Sequence, residues 1–258
     1  MKKVRIDKLL LDLNLVPSRE RGRALIMAGK VLVDETAVTK AGTPVDPAAT
    51  VRIKGETCPY VSRGGLKLAG ALDDLGIDVA GKIVLDVGAS TGGFTDVCLK
   101  RGATHAYAVD VGTNQLDYTI RSDPRVFSLE KTNARELTPE MLPGPADLAV
   151  IDVSFISLTK VLPNVVACLA PDGAVLAMVK PQFEVGKKNV GKGGVVRDPV
   201  LRKRAVDDVS ANAAGLGLVE TGRADSQITG PKGNLETFVY FTRISEEAAP
   251  CRSSSAKR

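Results

Sequence analysis

Ile83-Val84-Leu85-Asp86-Val87-Gly88-Ala89-Ser90-Thr91-Gly92-Gly93-Phe94 is the stretch that decides the fold. A short apolar run ends in an acid and breaks into a glycine-rich turn, and the residues from Phe94 to Arg101 read as a helix. Strand, tight turn and helix N-terminus together make the βα unit on which nucleotide-like cofactors sit. Glycine reaches positive φ there and lets the backbone approach a ligand closely. A second apolar run, Ala106-Tyr107-Ala108-Val109, ends in Asp110, 24 residues past Asp86. An acid at that distance typically grips a ribose hydroxyl pair.

Outward from this unit, apolar runs and helical periodicities alternate. Strands are predicted at 83–87, 105–110, 126–130, 148–152, 174–179, 217–222 and 235–242, with helices near 94–101, 114–121, 158–169 and 199–214. That pattern is a doubly wound, Rossmann-like α/β sheet. The last strand follows its predecessor too closely for a helical crossover and is expected to run antiparallel. An amphipathic helix from Leu66 to Leu75 precedes the sheet, after a linker at 59–65. The predicted layout is therefore a small α+β module at 1–58, the linker, the α/β domain at 66–244, and a disordered tail at 245–258.

The turn selects among cofactors. Residue 90 is Ser and the paired glycines fall at 92 and 93, a departure from the G-x-G-x-x-G of dinucleotide sites. NAD would need a helix N-terminus cleared for pyrophosphate. S-adenosylmethionine carries no phosphate, and Asp86 suits its cationic methionine end. The expected cofactor contacts are Asp86, Gly88, Ser90, Thr91, Gly92, Gly93 and Phe94, with Asp110 on the ribose and Asn133 toward the adenine amine. NAD remains the alternative.

Composition bounds the remaining classes. At 258 residues, 44% hydrophobic and 25% charged, the chain holds one sizeable core plus a small module. No apolar run approaches the roughly 18 residues of a membrane span. Asp7, Lys8 and Asp12 interrupt any signal-like start, so a cytoplasmic protein with no membrane partner is expected. Cys58, Cys98, Cys168 and Cys251 form no C-x-x-C pair, which argues against a metal and against a disulfide framework. The single histidine, His105, gives a Ser-His-Asp triad little support. Gly186-Lys187-Lys188-Asn189-Val190-Gly191-Lys192-Gly193 nearly spells a P-loop, but Gly193 stands where a hydroxyl must be and no strand leads into it. Nothing in the sequence sets an oligomeric state.

The net charge of +5 is uneven: residues 1–60 carry 11 Lys/Arg against 7 Asp/Glu. Residues 4–16 have helical spacing, Ser18 offers an N-cap to a helix from Arg19 to Ala28, and a strand is expected at 30–34. Arg19 and Arg23, four apart, share a helix face. With Arg5, Lys8, Ser18 and Lys30 they are candidates to grip a phosphate backbone. The module resembles the αL RNA-binding domain of ribosomal small-subunit protein four, pseudouridine synthases and tyrosyl-tRNA synthetases. The matching residues are Arg5-Ile6-Asp7-Lys8, Ser18-Arg19, Ala24 and Gly29-Lys30-Val31-Leu32-Val33.

Ligands of open α/β sheets bind outside the carboxyl ends of the strands. Asp152 and Lys180 end two predicted strands there, Glu236 begins the antiparallel one, and Lys67 stands on the entering helix. This tetrad, the turn from Asp86 to Thr95 and the phrase Tyr60-Val61-Ser62-Arg63-Gly64-Gly65-Leu66-Lys67-Leu68 together resemble the hemolysin-A-like (TlyA) family of ribosomal RNA methyltransferases. That family joins an αL domain to an FtsJ-like catalytic domain. The resemblance implies 2′-O-methylation of cytidine in ribosomal RNA, with ribosomal subunits as partners and Lys67, Asp152, Lys180 and Glu236 as catalytic residues. Other acceptors fit less well. Asp152-Val153-Ser154-Phe155 stands where amino-nitrogen methylation uses Asn-Pro-Pro-aromatic, and no cysteine is placed for attack on a pyrimidine carbon. Two further classes stay open: a non-catalytic ribosome-assembly factor that keeps the fold, and a membrane-damaging hemolysin, for which no spanning or β-barrel pattern is present.

Overall fold

The computed structural model describes residues 3–13, 15–16, 18–54, 58–230 and 232–243; the predicted tail at 245–258 lies outside them. The chain divides into two compact units, Met1–Pro59 and Tyr60–Arg258.

In the first unit β1 (Val4–Arg5) leads directly into α1 (Ile6–Asp12), and Ser18 caps α2 (Arg19–Met27). β2 (Val31–Val33), β3 (Thr36–Val38) and β5 (Val51–Ile53) form an antiparallel sheet, while β4 (Pro44–Val45) pairs with β1. The helix expected over 4–16 is thus shorter: Val4 and Arg5 are drawn into a ladder with Val45 and Pro44. Ile6, Leu9 and Leu10 of α1 and Leu25 and Ile26 of α2 make this unit's own core.

The second unit is a seven-stranded mixed sheet with helices on both faces. Its elements are α3 (Arg63–Asp74), β6 (Ile83–Val87), α4 (Gly93–Lys100), β7 (His105–Val109), α5 (Tyr118–Arg121), β8 (Val126–Leu129), β9 (Ala146–Ile151), α6 (Leu162–Ala167), β10 (Leu169–Val179), α7 (Pro181–Glu184), α8 (Pro199–Ala214), β11 (Leu218–Asp225) and β12 (Thr237–Arg243). The strand order is β11-β12-β10-β9-β6-β7-β8. β6 to β10 run parallel, and β12 is antiparallel to both β10 and β11, as the short connection requires. β6 has β7 on one side and β9 on the other, so the strand order reverses at β6, which is where open sheets bind ligands.

Side chains alternate along each strand and build two cores. Leu85, Val87, Ile151, Val179 and Phe241 face α6 and α8, whereas Val84, Leu148, Val150, Met178 and Phe238 face α3 and α4. Each large apolar side chain withdrawn this way contributes about 1.5–3 kcal/mol.

Several predicted boundaries move for local reasons. The helix expected at 114–121 shrinks to α5, because Asn114 sits in the left-handed region (φ 54) and Asp117 caps the chain by accepting from the Thr119 amide at 2.9 Å. The helix expected at 158–169 begins only at Leu162, since Pro163 is tolerated in a first turn and not inside a helix. Arg63–Gly65 belong to the first turn of α3, so residues 60–65 are part of the second unit instead of a linker. The P-loop-like stretch follows α7 and contains only a short 3₁₀ turn, Lys187–Asn189.

Candidate active site

β6 and β9 end side by side. The Asp152 amide donates to the Val87 carbonyl at 2.9 Å, and a Cβ on Gly88 (φ 89) would sit 2.5 Å from the Asp152 carbonyl oxygen. Only glycine allows that approach. The turn then folds on itself: Gly88 and Ala89 donate to the Val109 carbonyl, Ser90 to Asp110 Oδ2 at 2.8 Å, and Gly92 to the Ala89 carbonyl. At the head of α4 a Cβ on Gly93 would collide with Ser62 Oγ at 2.1 Å, because the start of α3 packs there. That packing carries Lys67 to the site.

A cavity of about 650 Å³ opens beyond these strand ends, lined by Lys67, Asp152, Lys180 and Glu236 together with the turn. Lys67 Nζ lies 2.5 Å from Glu236 Oε2, with the Glu236 side chain 1% exposed. Lys180 pairs with Asp152 Oδ1 and donates to Ser154 Oγ at 2.9 Å. The tetrad is therefore two buried lysines, each matched by its own carboxylate. A second lobe, about 1200 Å³, shares Gly88, Ser90 and Asp152 with the first and adds Asp110 and Asn133. Asp110 also accepts from the Gly112 amide at 2.7 Å, and Asn133 Oδ1 from the Arg135 amide at 3.1 Å.

Ser90 and Thr91 are exposed on the turn, Gly92 heads α4 at φ 90, and the Phe94 ring is buried against Phe238, 6.0 Å between centroids. Asp86 departs from expectation. It alternates with Leu85 and Val87, so its side chain points under α4, where Oδ2 accepts from the Thr95 amide at 2.9 Å and hydroxyl at 2.7 Å. It is fully buried and does not line the cavity; burial pushes its carboxyl up to about 7. Asp86 shapes the turn from behind. The buried thiols of Cys98 and Cys168 are likewise pushed up by burial and sit in the two cores, away from the cavity.

Other residues of the site carry no motif. Asn234, 2% exposed, accepts from the Val196 amide and donates to the Gly194 carbonyl, both at 2.9 Å, fastening the glycine-rich loop to the segment that bears Glu236. Glu184 accepts from Ser157 Oγ at 2.6 Å and the Leu158 amide at 2.9 Å, tying α7 to the loop after Asp152.

In the N-terminal unit the candidate RNA contacts share an unexpected centre. Asp7 is fully buried and accepts from Arg5 Nε and Nη2, both at 3.0 Å, and from Arg19 Nη2 at 2.9 Å, with Arg23 Nε 3.5 Å away. The Arg5 hydrogen bonds, helped by Arg19, hold its carboxyl well below the usual carboxylate range. All three guanidinium side chains stay about half exposed. Lys8 and Lys30 are exposed as well. Ser18 is not available in the same way: its hydroxyl accepts from the Arg21 amide at 3.2 Å as the α2 cap.

Among the described residues no helix is long and apolar enough to cross a membrane, and no cluster of His, Cys, Asp and Glu could hold a metal. Residues 60–243 match the FtsJ-like methyltransferase family and residues 4–51 the S4 domain family. The chain is 48% identical over 248 residues to a Mycobacterium tuberculosis protein named 16S/23S rRNA (cytidine-2′-O)-methyltransferase TlyA, covering 96% of this chain and 92% of that one. It is 38% identical to Hemolysin A of Brachyspira hyodysenteriae, covering 92% and 99%. A solved structure of a candidate hemolysin from Streptococcus thermophilus superposes with a TM-score of 0.74 at 41% identity, over 95% of this chain and 90% of that one.

Proposed function

The chain belongs to the FtsJ-like methyltransferase family, in its TlyA (hemolysin A) branch with an S4 domain in front, and from that membership we propose that it moves the methyl group of S-adenosylmethionine onto a ribose 2′-hydroxyl of ribosomal RNA. The base would be cytidine, the one named for the Mycobacterium relative. The observation that carries this reading is the pair of lysine–carboxylate couples in one cavity beside the turn.

The residues fit this donor better than a dinucleotide. The amides of Gly88, Ala89, Ser90 and Gly92 already donate within the protein, and the start of α3 packs against the head of α4. A pyrophosphate would want those donors open. Asp110 and Asn133 line the second lobe, where a nucleoside's hydroxyls and amine would be held. When bound, the donor supplies an electrophilic methyl on a sulfonium.

The chain's own residues do the rest. The cavity would hold the ribose hydroxyl beside the donor, and such positioning removes much of the entropic part of the barrier. Lys180, in its neutral form, would take the hydroxyl proton on Nζ. Asp152 holds the ammonium so formed. Lys67, fixed by Glu236, presents positive charge toward the oxygen as it sheds its proton. In the front unit the guanidinium groups around Asp7 engage RNA phosphates.

Full-length protein incubated with ribosomal subunits and methyl-labelled S-adenosylmethionine should put label into RNA, and calorimetry should show binding of S-adenosylhomocysteine. Binding of NAD without the homocysteine product, or protein-only label, would refute the proposal.

A further inference from the structure

We propose that Ser154 is a positioning residue for the methyl transfer, fixing which way the lone pair of Lys180 points. This rests on the reading of Lys180 as the proton acceptor. A primary amine has three positions around its nitrogen beyond the carbon stem. One contact to a carboxylate places a single N–H and leaves the remaining N–H and the lone pair free to exchange places. Lys180 forms an ion pair with Asp152 Oδ1, which accepts no hydrogen bond, and donates one hydrogen bond, to Ser154 Oγ 2.9 Å away. The hydroxyl is therefore the contact that fixes an N–H, and with the Asp152 charge drawing a second N–H toward itself the lone pair is left the position that faces away from both.

The backbone explains why the pair is available. β9 ends at Ile151, and in the segment that follows both Asp152 and Ser154 reach Lys180. Val153 between them is buried in the core on the α6 and α8 side. Glu184 then ties Ser157 and Leu158 to the helix that begins just after Lys180, so the segment bearing Ser154 and the segment bearing Lys180 are joined at a second point. Ser154 itself is exposed in the cavity wall and its side chain supports no core packing. A hydroxyl that only solvated the surface would have no reason to lie within hydrogen-bond reach of a lysine that is 8% exposed.

In the transfer Ser154 gains and loses no bond. The 2′-hydroxyl proton passes to Lys180 Nζ, the methyl carbon exchanges sulfur for oxygen, and Ser154 accepts the same N–H throughout.

The test compares Ser154→Ala, Ser154→Thr and Lys180→Ala in full-length protein, using ribosomal subunits and S-adenosylmethionine. Ser154→Ala should lower kcat by roughly two- to tenfold, the equivalent of one hydrogen bond between uncharged groups. KM for the subunits, affinity for S-adenosylhomocysteine and thermal midpoint should stay at wild-type values, and Ser154→Thr should restore most of kcat. Wild-type kcat in Ser154→Ala beside an inactive Lys180→Ala would overturn this proposal and leave the functional reading standing. A parallel loss of S-adenosylhomocysteine affinity would make Ser154 a ligand contact and overturn it too. Wild-type turnover in Lys180→Ala would remove the reading on which it rests.

Discussion

The two units hold their cations in opposite ways. In the N-terminal unit one buried carboxylate, Asp7, serves three arginines whose outer faces stay in solvent. In the catalytic unit two lysines are drawn into a cavity, and each has a carboxylate to itself. Arginine is always charged and forks two N–H groups toward an oxyanion, whereas lysine can give up its proton when withdrawn from water. The surface therefore carries the residue suited to phosphate, and the cavity the residue suited to proton transfer. Asp7 offsets the mutual repulsion of three guanidinium groups and fixes the angle at which they face outward. Asp152 and Glu236 each pair with one lysine.

That contrast breaks most visibly at Lys180. Lys180→Arg puts a permanent positive charge beside Asp152 and cannot accept a proton. Single-turnover methyl transfer should fall by about a hundred- to ten-thousandfold, with S-adenosylhomocysteine affinity intact. An active arginine variant would mean that charge alone matters in the cavity.

Asp110→Ala comes next. Loss of a partner for ribose hydroxyls should weaken S-adenosylhomocysteine binding by roughly 1–3 kcal/mol in calorimetry. RNA affinity should not move, and a matching loss of both would indicate a collapsed turn.

Arg19→Ala with Arg23→Ala sharpens the other side of the comparison. Each lost phosphate contact should flatten the dependence of log affinity on log salt by about 0.7–0.9. The change is read by filter binding at several ionic strengths, with S-adenosylhomocysteine affinity as the unaffected control. An unchanged salt slope would take the Asp7 centre out of RNA recognition.

The smallest effect concerns Asp86. Its folded carboxyl titrates at about 7, against about 3.9 for an unperturbed one. The folded chain thus binds this proton more tightly than the unfolded chain. Stability present near pH 4 is lost as pH rises toward 7. Thermal midpoints of Asp86→Asn across that window should decline less with pH than those of the parent, and parallel curves would show that Asp86 does not contribute.

Much of this was legible along the chain because it depends on neighbours in sequence. The apolar runs ending in Asp86, Asp110, Asp152 and Lys180 mark parallel strands, and the close spacing of the last two strands marks the antiparallel edge. What periodicity misses is capping and proline, which cut the helices at Asp117 and Pro163. Alternation along β6 could have turned Asp86 away from the cavity, since Leu85 and Val87 face one core and residue 86 must face the other. Ser154 lies two residues from Asp152, a spacing visible in sequence, but its partner Lys180 is 26 residues away. Asn234 clasps a loop 38 and 40 residues distant, and Arg19 reaches Asp7 across 12. Such contacts exist only once the chain has folded.

The position of the transferred methyl can be read directly from the RNA. Ribosomal RNA labelled by the full-length protein is hydrolysed in alkali, which cleaves wherever a free 2′-hydroxyl adjoins the phosphodiester. A methylated ribose blocks that cleavage, so the label should emerge in alkali-resistant dinucleotides. Label in ordinary mononucleotides would place the methyl on a base and rule out ribose methylation.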